Sequence, residues 1–261
     1  MPWLNQLDSS KLLLFTVVLT RVSGLTMTAP IYGTRDVPAQ ARGLLAVILA
    51  VLITPVQWSH AVPAPPGVFP YLVLLASELL IGMSLGLGIV VLISGMQLAG
   101  EMVGRASGLM LSDIYDPTLD SSVPLIGQVL SLVATAVFVC IGGHRMLMSA
   151  LLDTFQTLPP GGAAMAPASL VETFSLLVSE SLSVGIRASI PAVTALLLAT
   201  VVLGLVGRTL PQLNVMILGF SLNGLLTFAI LALTLGAAAW VFQERVEPAV
   251  TTLLEGIHAH G

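Results

Sequence analysis

The sequence predicts an all-α membrane protein of about six long hydrophobic helices, and three observations carry that prediction. Of 261 residues, 56% are hydrophobic and 8% charged, with a mean hydropathy of +1.00. Ordinary soluble domains carry about 25% charged residues, so this chain lacks the polar groups to cover a water-facing surface. The apolar residues also gather into runs without strand-period alternation. Lipid admits only helices and closed barrels, because both satisfy every backbone polar group internally. Finally, the gaps between runs hold turn chemistry.

The first run, residues 12–30, holds Arg21 near its centre, among Thr16, Thr20, Ser23, Thr26 and Thr28. The start of the chain lacks a basic lead, so this run is expected to be retained rather than cleaved. The second run, 44–56, is short and is followed by the Pro-rich loop 61–67. The third, 69–99, carries Glu78 and the overlapping small-residue pairs Gly82/Gly86 and Ser84/Gly88, continued by Gly95/Ala99 and Gly100/Gly104. Such spacing lets helix backbones approach closely. The fourth, 123–143, includes Cys140. As the sole cysteine it excludes an internal disulfide and a cysteine-based metal site. The break at Leu158-Pro159-Pro160-Gly161-Gly162 separates it from the fifth run, 176–207, which carries Glu180, Arg187 and Pro191. The sixth, 213–242, carries Asn214 and Asn223.

These are poor lipid spans. A charge at mid-membrane costs from about 2.5 kcal/mol upward and normally faces protein or water. Arg21, Glu78, Glu101, Arg105, Glu180 and Arg187 are therefore read as structural or intersubunit polar groups. A chain this short has few helices with which to cover them, so partner subunits are implied. Glu180 and Arg187 are the best intramembrane pair by sequence; two turns apart, they share a face without touching. Arginine placement sets the orientation. Arg35, Arg42 and Arg208 lie in connections predicted to be cytoplasmic, whereas the 61–67 loop has neither Lys nor Arg, which puts both termini outside the cytoplasm. Arg145 opposes this weakly.

Net charge is −4 with one lysine, Lys11, so no basic tract points to nucleic acid. His60, His144, His258 and His260 are read as loop or tail residues without a spaced acid for a metal. A phosphate-cradling loop is missing from the sequence. Neither an enzyme nor a cofactor is expected. The most unusual segment is 100–124. Glu101 and Arg105, four apart, are placed to pair on one helix face. Beyond them come Gly108, Leu109, Met110, Leu111, Ile114, Tyr115, Asp116 and Pro117. Asp113, Asp116 and Asp120 are wrongly spaced for a calcium loop. Two readings stay open for the segment: a solvated connection, or an apolar plug whose Met and Leu side chains seal a pore.

An ordered set of residues resembles the FliR family of the flagellar type III export gate. It comprises Arg21-Val22, Thr28-Ala29-Pro30-Ile31, Arg35-Asp36-Val37-Pro38 and Arg42; then Gly100-Glu101, Gly104, Gly108-Leu109, Asp116-Pro117 and Pro124; then Gly143-His144, Leu151 to Phe155, Leu158-Pro159, Ala188, Pro191 and Pro211-Gln212-Leu213-Asn214. The set spans nearly the whole chain, and the injectisome paralogue shares much of it. The resemblance implies helical hairpins in a helical hetero-oligomer with FliP and FliQ, with residues 1–170 FliP-like and 171–261 a FliQ-like hairpin with a short tail. It also implies docking with FlhB and FlhA in the bacterial cytoplasmic membrane, and passage of unfolded flagellar proteins. It places a channel plug at Gly108–Pro117, built on Met110, Leu111 and Ile114, and a cytoplasmic hairpin loop at Arg208, Pro211, Gln212 and Asn214. A small-solute secondary transporter, motivated by Glu78, Glu180 and Arg187, is the reading from another class; no inverted repeat supports it.

Overall fold

The computed structural model describes residues 9–33, 37–59, 62, 65–108, 125–161, 167–209 and 215–258. Among them the chain is helical throughout, with no strand. The helices are α1 (Ser9–Thr28), α2 (Ala39–Ile53, continued by a 3-10 turn at Thr54–Gln57), α3 (Val68–Ser107), α4 (Leu125–Cys140), α5 (Gly143–Thr157), α6 (Pro167–Thr209) and α7 (Val215–His258).

Three of these exceed the sequence expectation. With 40, 43 and 44 residues, α3, α6 and α7 are roughly 60–66 Å long at 1.5 Å per residue, about twice the hydrocarbon thickness of a bilayer. The tail expected after residue 243 is in fact the last four turns of α7. Val246, Ala249, Val250, Leu253 and Ile257 are buried there at helical spacing. A second difference follows the fourth run. The chain does not run as a connection from Gly143 to the Pro-Gly break. Gly142 takes φ +78, a left-handed conformation that glycine adopts without steric cost, and a 15-residue helix starts behind it. The sequence of α5 is amphipathic rather than apolar, burying Leu147, Ala150, Leu151, Thr154 and Phe155, so hydropathy alone passes over it. His144 accordingly lies in the first turn of a helix, and His258 closes another.

The chain forms two compact units. One comprises Met1–Val91, Gly142–Leu177 and Glu247–Gly261. Its α1 buries an i, i+3, i+4 stripe: Leu14, Val17, Val18, Arg21, Val22 and Leu25. This stripe meets the small-residue face of α3. A Cβ on Gly82 would strike the Arg21 carbonyl and the Leu25 nitrogen, one on Gly86 would strike Thr28, and one on Gly24 would meet Met83 N at 2.8 Å. Contacts that advance together along both helices mean that α1 and α3 run in the same direction, backbone against backbone.

The other unit comprises Leu92–Ile141 and Val178–Val246. Its core joins Val103 of α3, Ile126 of α4 and Ala192 and Leu196 of α6, with Ile230 and Leu231 of α7 packed against them. The same device recurs here. Gly95 lies against Ser181, and Gly100 against Gly127 at 2.5 Å from a Cβ position.

Candidate functional site

A charged cluster is buried inside the first unit. Arg21 and Glu78 are each 1% exposed. Arg21 Nε donates to Glu78 Oε2 at 2.6 Å, and Nη1 donates to the carbonyls of Thr154 and Leu158, both at 3.0 Å, and to Thr154 Oγ1 at 3.3 Å. The Phe155 ring lies 4.4 Å from the guanidinium carbon. The other carboxylate oxygen, Glu78 Oε1, accepts the Gly161 backbone N–H at 2.9 Å. One arginine therefore ties α1 to α3 and to the end of α5. The Thr154 carbonyl also accepts the Leu158 N–H at 2.9 Å, and both carbonyls stand at the C-terminal, negative end of the α5 dipole, so a cation suits that place. Local sequence sets the geometry: Glu78 precedes Gly82 by one turn, and the glycine face that draws α3 onto α1 carries the carboxylate with it.

The sequence singled out both residues without pairing them. The available signal was their isolation, as opposite charges in two otherwise uncharged apolar runs. The pair favoured by sequence is not formed. Glu180 Oε1 instead lies 2.8 Å from Arg245 Nη1, joining α6 to α7 with both side chains about a third exposed. Arg187 is exposed near the middle of α6. Glu101 and Arg105 do not meet either: Glu101 accepts from Gln97 Nε2 at 3.4 Å, and Arg105 is exposed. Arg208 stands in the last turn of α6, where a cation complements the helix dipole. Gly108 ends α3 at φ +74, its N–H bonded to the Arg105 carbonyl at 3.2 Å. Leu109, Met110, Leu111, Ile114, Tyr115, Asp116, Pro117, Pro211, Gln212 and Asn214 lie outside the described residues.

Outside this cluster, the chain leaves much apolar surface uncovered. The most apolar stretch of α3 is 61% buried, whereas those of α6 and α7 are 11% and 17% buried. Leu197, Leu198, Val201, Val202 and Leu205 on α6, and Leu225, Phe228, Leu233 and Trp240 on α7, stand exposed. Such a surface is stable against lipid or other apolar protein and not against water.

Residues 12–249 match the family described as bacterial export proteins, family 1. The chain belongs to that family. Within this export family it is 32% identical to the flagellar biosynthetic protein FliR of Escherichia coli K12, over 85% of this chain and 82% of that protein. It is 30% identical to FliR of Bacillus subtilis 168, over 83% and 84%. It is also 24% identical to the secretion system apparatus protein SsaT of Salmonella typhimurium LT2, over 85% and 87%. As a member of the export family with, among the described residues, five helices long and apolar enough to cross a membrane, the chain is a membrane-embedded protein.

Proposed function

We propose that this chain is a subunit of the flagellar type III protein export gate in the bacterial cytoplasmic membrane. In this reading it assembles with FliP and FliQ into the channel for unfolded flagellar proteins, and docks with FlhB and FlhA. The observation that carries the reading is the near full-length similarity to FliR proteins. The uncovered apolar faces of α6 and α7 support it, since a chain that buries so little of its own length needs neighbours. The FliP-like part is residues 1–170 and the FliQ-like hairpin 171–261. The 108–117 segment serves as the apolar plug, with Gly108 the point where α3 releases the chain.

The similarity to SsaT keeps an injectisome role as the second reading. One experiment separates them. The gene is expressed in a flagellated strain lacking its own FliR and in a strain lacking its SsaT-type subunit. Restored swimming and flagellar proteins in the medium, with FliP and FliQ co-purifying in mild detergent, are expected from the first strain alone. Rescue of the second strain only would overturn the flagellar assignment. The solute-transporter reading loses two of its three motives, because Glu78 is engaged by Arg21 and Gly161 and Glu180 lies against Arg245, and it is left with the exposed Arg187.

A further inference from the structure

Helix α5 presents a polar outer face. Arg145, Ser149, Leu152, Asp153, Gln156 and Thr157 stand exposed along it at helical spacing, opposite the side it buries, and all but Leu152 are polar. In the same unit α2 exposes instead an aliphatic stripe from Leu44 to Leu52. Neither Arg145 nor Asp153 forms an ion pair among the described residues. The hydroxyls of Ser149 and Thr157 donate back to the carbonyls of Met146 and Asp153, both at 3.1 Å. The face therefore carries one charge of each sign, and its hydroxyls ask no neighbour for an acceptor.

The depth of this face decides what it meets. Helix α1 is long and apolar enough to cross a membrane. Lys11 Nζ, near its start, lies 4.8 Å from the ring centroid of the exposed Trp58, beyond the end of α2. Tryptophan and lysine favour a membrane–water boundary. Arg21 stands ten positions along α1 from Lys11, about 15 Å at helical rise, or half of a hydrocarbon layer roughly 30 Å thick. Its guanidinium holds the carbonyls of Thr154 and Leu158, both at 3.0 Å. Asp153, Gln156 and Thr157 lie within one helical turn of Thr154, so they share that depth. A carboxylate exposed near mid-membrane is costly against acyl chains and faces protein or water. A protein neighbour would have to match a cation, an anion and an amide in one row. Water satisfies all three.

We propose that the outer face of α5 lines the aqueous conduit of the assembly, where it meets the extended polypeptide in transit. Opposite charges two turns apart, and hydroxyls turned onto their own helix, give a sliding chain little to bind. The proposal rests on the export reading and adds which surface of this chain the cargo passes.

The test is cysteine accessibility in the full chain, assembled in a flagellated strain lacking its own FliR, with Cys140→Ala removing the exposed native thiol. Ser149→Cys and Gln156→Cys variants are treated with a small, charged, membrane-impermeant thiol reagent, in spheroplasts and in inverted vesicles so that both mouths are reached. Both should react at least about tenfold faster than Val47→Cys on the α2 stripe, because the reactive thiolate forms in water and not among apolar groups. A flagellar export substrate fused to a tightly folded domain, stalled in the conduit, should abolish that labelling. Where the Cys140→Ala parent restores swimming, unreactive cysteines at 149 and 156 would mean that the face packs on lipid or a partner subunit. That result overturns the proposal and leaves the export reading intact. Labelling undiminished by the stalled substrate would place the face in bulk water and overturn the proposal as well. A parent that assembles but restores no swimming defeats the export reading, and the proposal with it. Ser149→Cys is nearly isosteric and carries the test alone if Gln156→Cys fails to accumulate.

Discussion

Replacing Glu78 by alanine isolates the energetics of the buried cluster. The substitution leaves the Arg21 guanidinium at 1% exposure with its Nε unpaired, and it orphans the Gly161 N–H. Breaking a buried ion pair by removing one partner costs about 3–5 kcal/mol. That is roughly a 100- to 4,000-fold loss in the ratio of folded to unfolded protein. Glu78→Gln keeps an acceptor oxygen and should cost less, about 1.5–3 kcal/mol for the charged hydrogen bond. The double variant Arg21→Leu/Glu78→Leu removes both charges. Thr154 O keeps its bond from Leu158 N at 2.9 Å, so the residual cost falls mainly on the Leu158 carbonyl and the Gly161 N–H. At about 1–3 kcal/mol for each unsatisfied group, the double should cost less than the two singles added. The assay is the thermal aggregation midpoint of the detergent-solubilised complex, alongside pulse-chase decay in membranes. The expected order of stability is wild type, double, Glu78→Ala. A wild-type midpoint for Glu78→Ala, or strict additivity of the singles in the double, would refute the argument.

Glycine contacts predict opposite signs at two sites. Gly82→Ala drives a Cβ into the α1 backbone and should lower the same midpoint, at an overpacking cost of about 1–3 kcal/mol, whereas Gly204→Ala meets nothing of its own chain within 4 Å and should be neutral or stabilising by up to about 1 kcal/mol when measured on the chain purified without partners. For topology, cysteines placed at Ser59 and Thr209 in a Cys140→Ala background should label from opposite sides, with position 209 protected from an impermeant external reagent; labelling of 209 from outside would reverse the orientation. For the plug, deletion of residues 109–114 should leave the complex assembled but leaky to ions in planar bilayers, and a deleted complex as tight as wild type would reduce the segment to a connection.

Hydropathy made the all-helical membrane class legible, and the spacing of Gly82, Gly86, Gly95 and Gly100 marked the close-packing faces that α3 uses. What escaped was information carried by partners distant in sequence. Arg21 and Glu78 lie 57 positions apart, and Thr154 a further 76 beyond. Local spacing favoured Glu180 with Arg187, yet Glu180 meets Arg245, because α6 and α7 return alongside each other as a hairpin. The α5 helix escaped for a different reason. Arg145, Asp153 and Gln156 lower its hydropathy, while its buried face is short and depends on α1 and α3 for meaning. The last turns of α7 escaped likewise, since Glu244, Arg245 and Glu247 end the apolar run without ending the helix.

A buried ion pair is an expensive way to join helices that already pack through glycine, and its use here follows from a degeneracy in that packing. Small residues on α3 recur every four positions, at Gly82 and Gly86, and α1 answers with Gly24 and Thr28 at the same interval. A slide of one turn, about 5.4 Å, would set small residue against small residue again at modest loss. Apolar side chains resist such a slip weakly, because lipid-exposed and core aliphatic groups are chemically alike. The Arg21–Glu78 contact resists it strongly. After a one-turn slip the guanidinium would face Gly82 or Leu74 in place of Glu78, and two buried charges would stand apart. The same shift would remove Arg21 from the α5 carbonyls of Thr154 and Leu158. The cluster therefore acts less as net stabilisation than as a register lock, a role that polar groups buried between helices fill elsewhere. On this argument the Arg21→Leu/Glu78→Leu chain stays more stable than Glu78→Ala yet loses its single alignment of α1 on α3. Thr16 Oγ1 and Tyr71 Oη, 2.9 Å apart in the native register, are placed to report that loss.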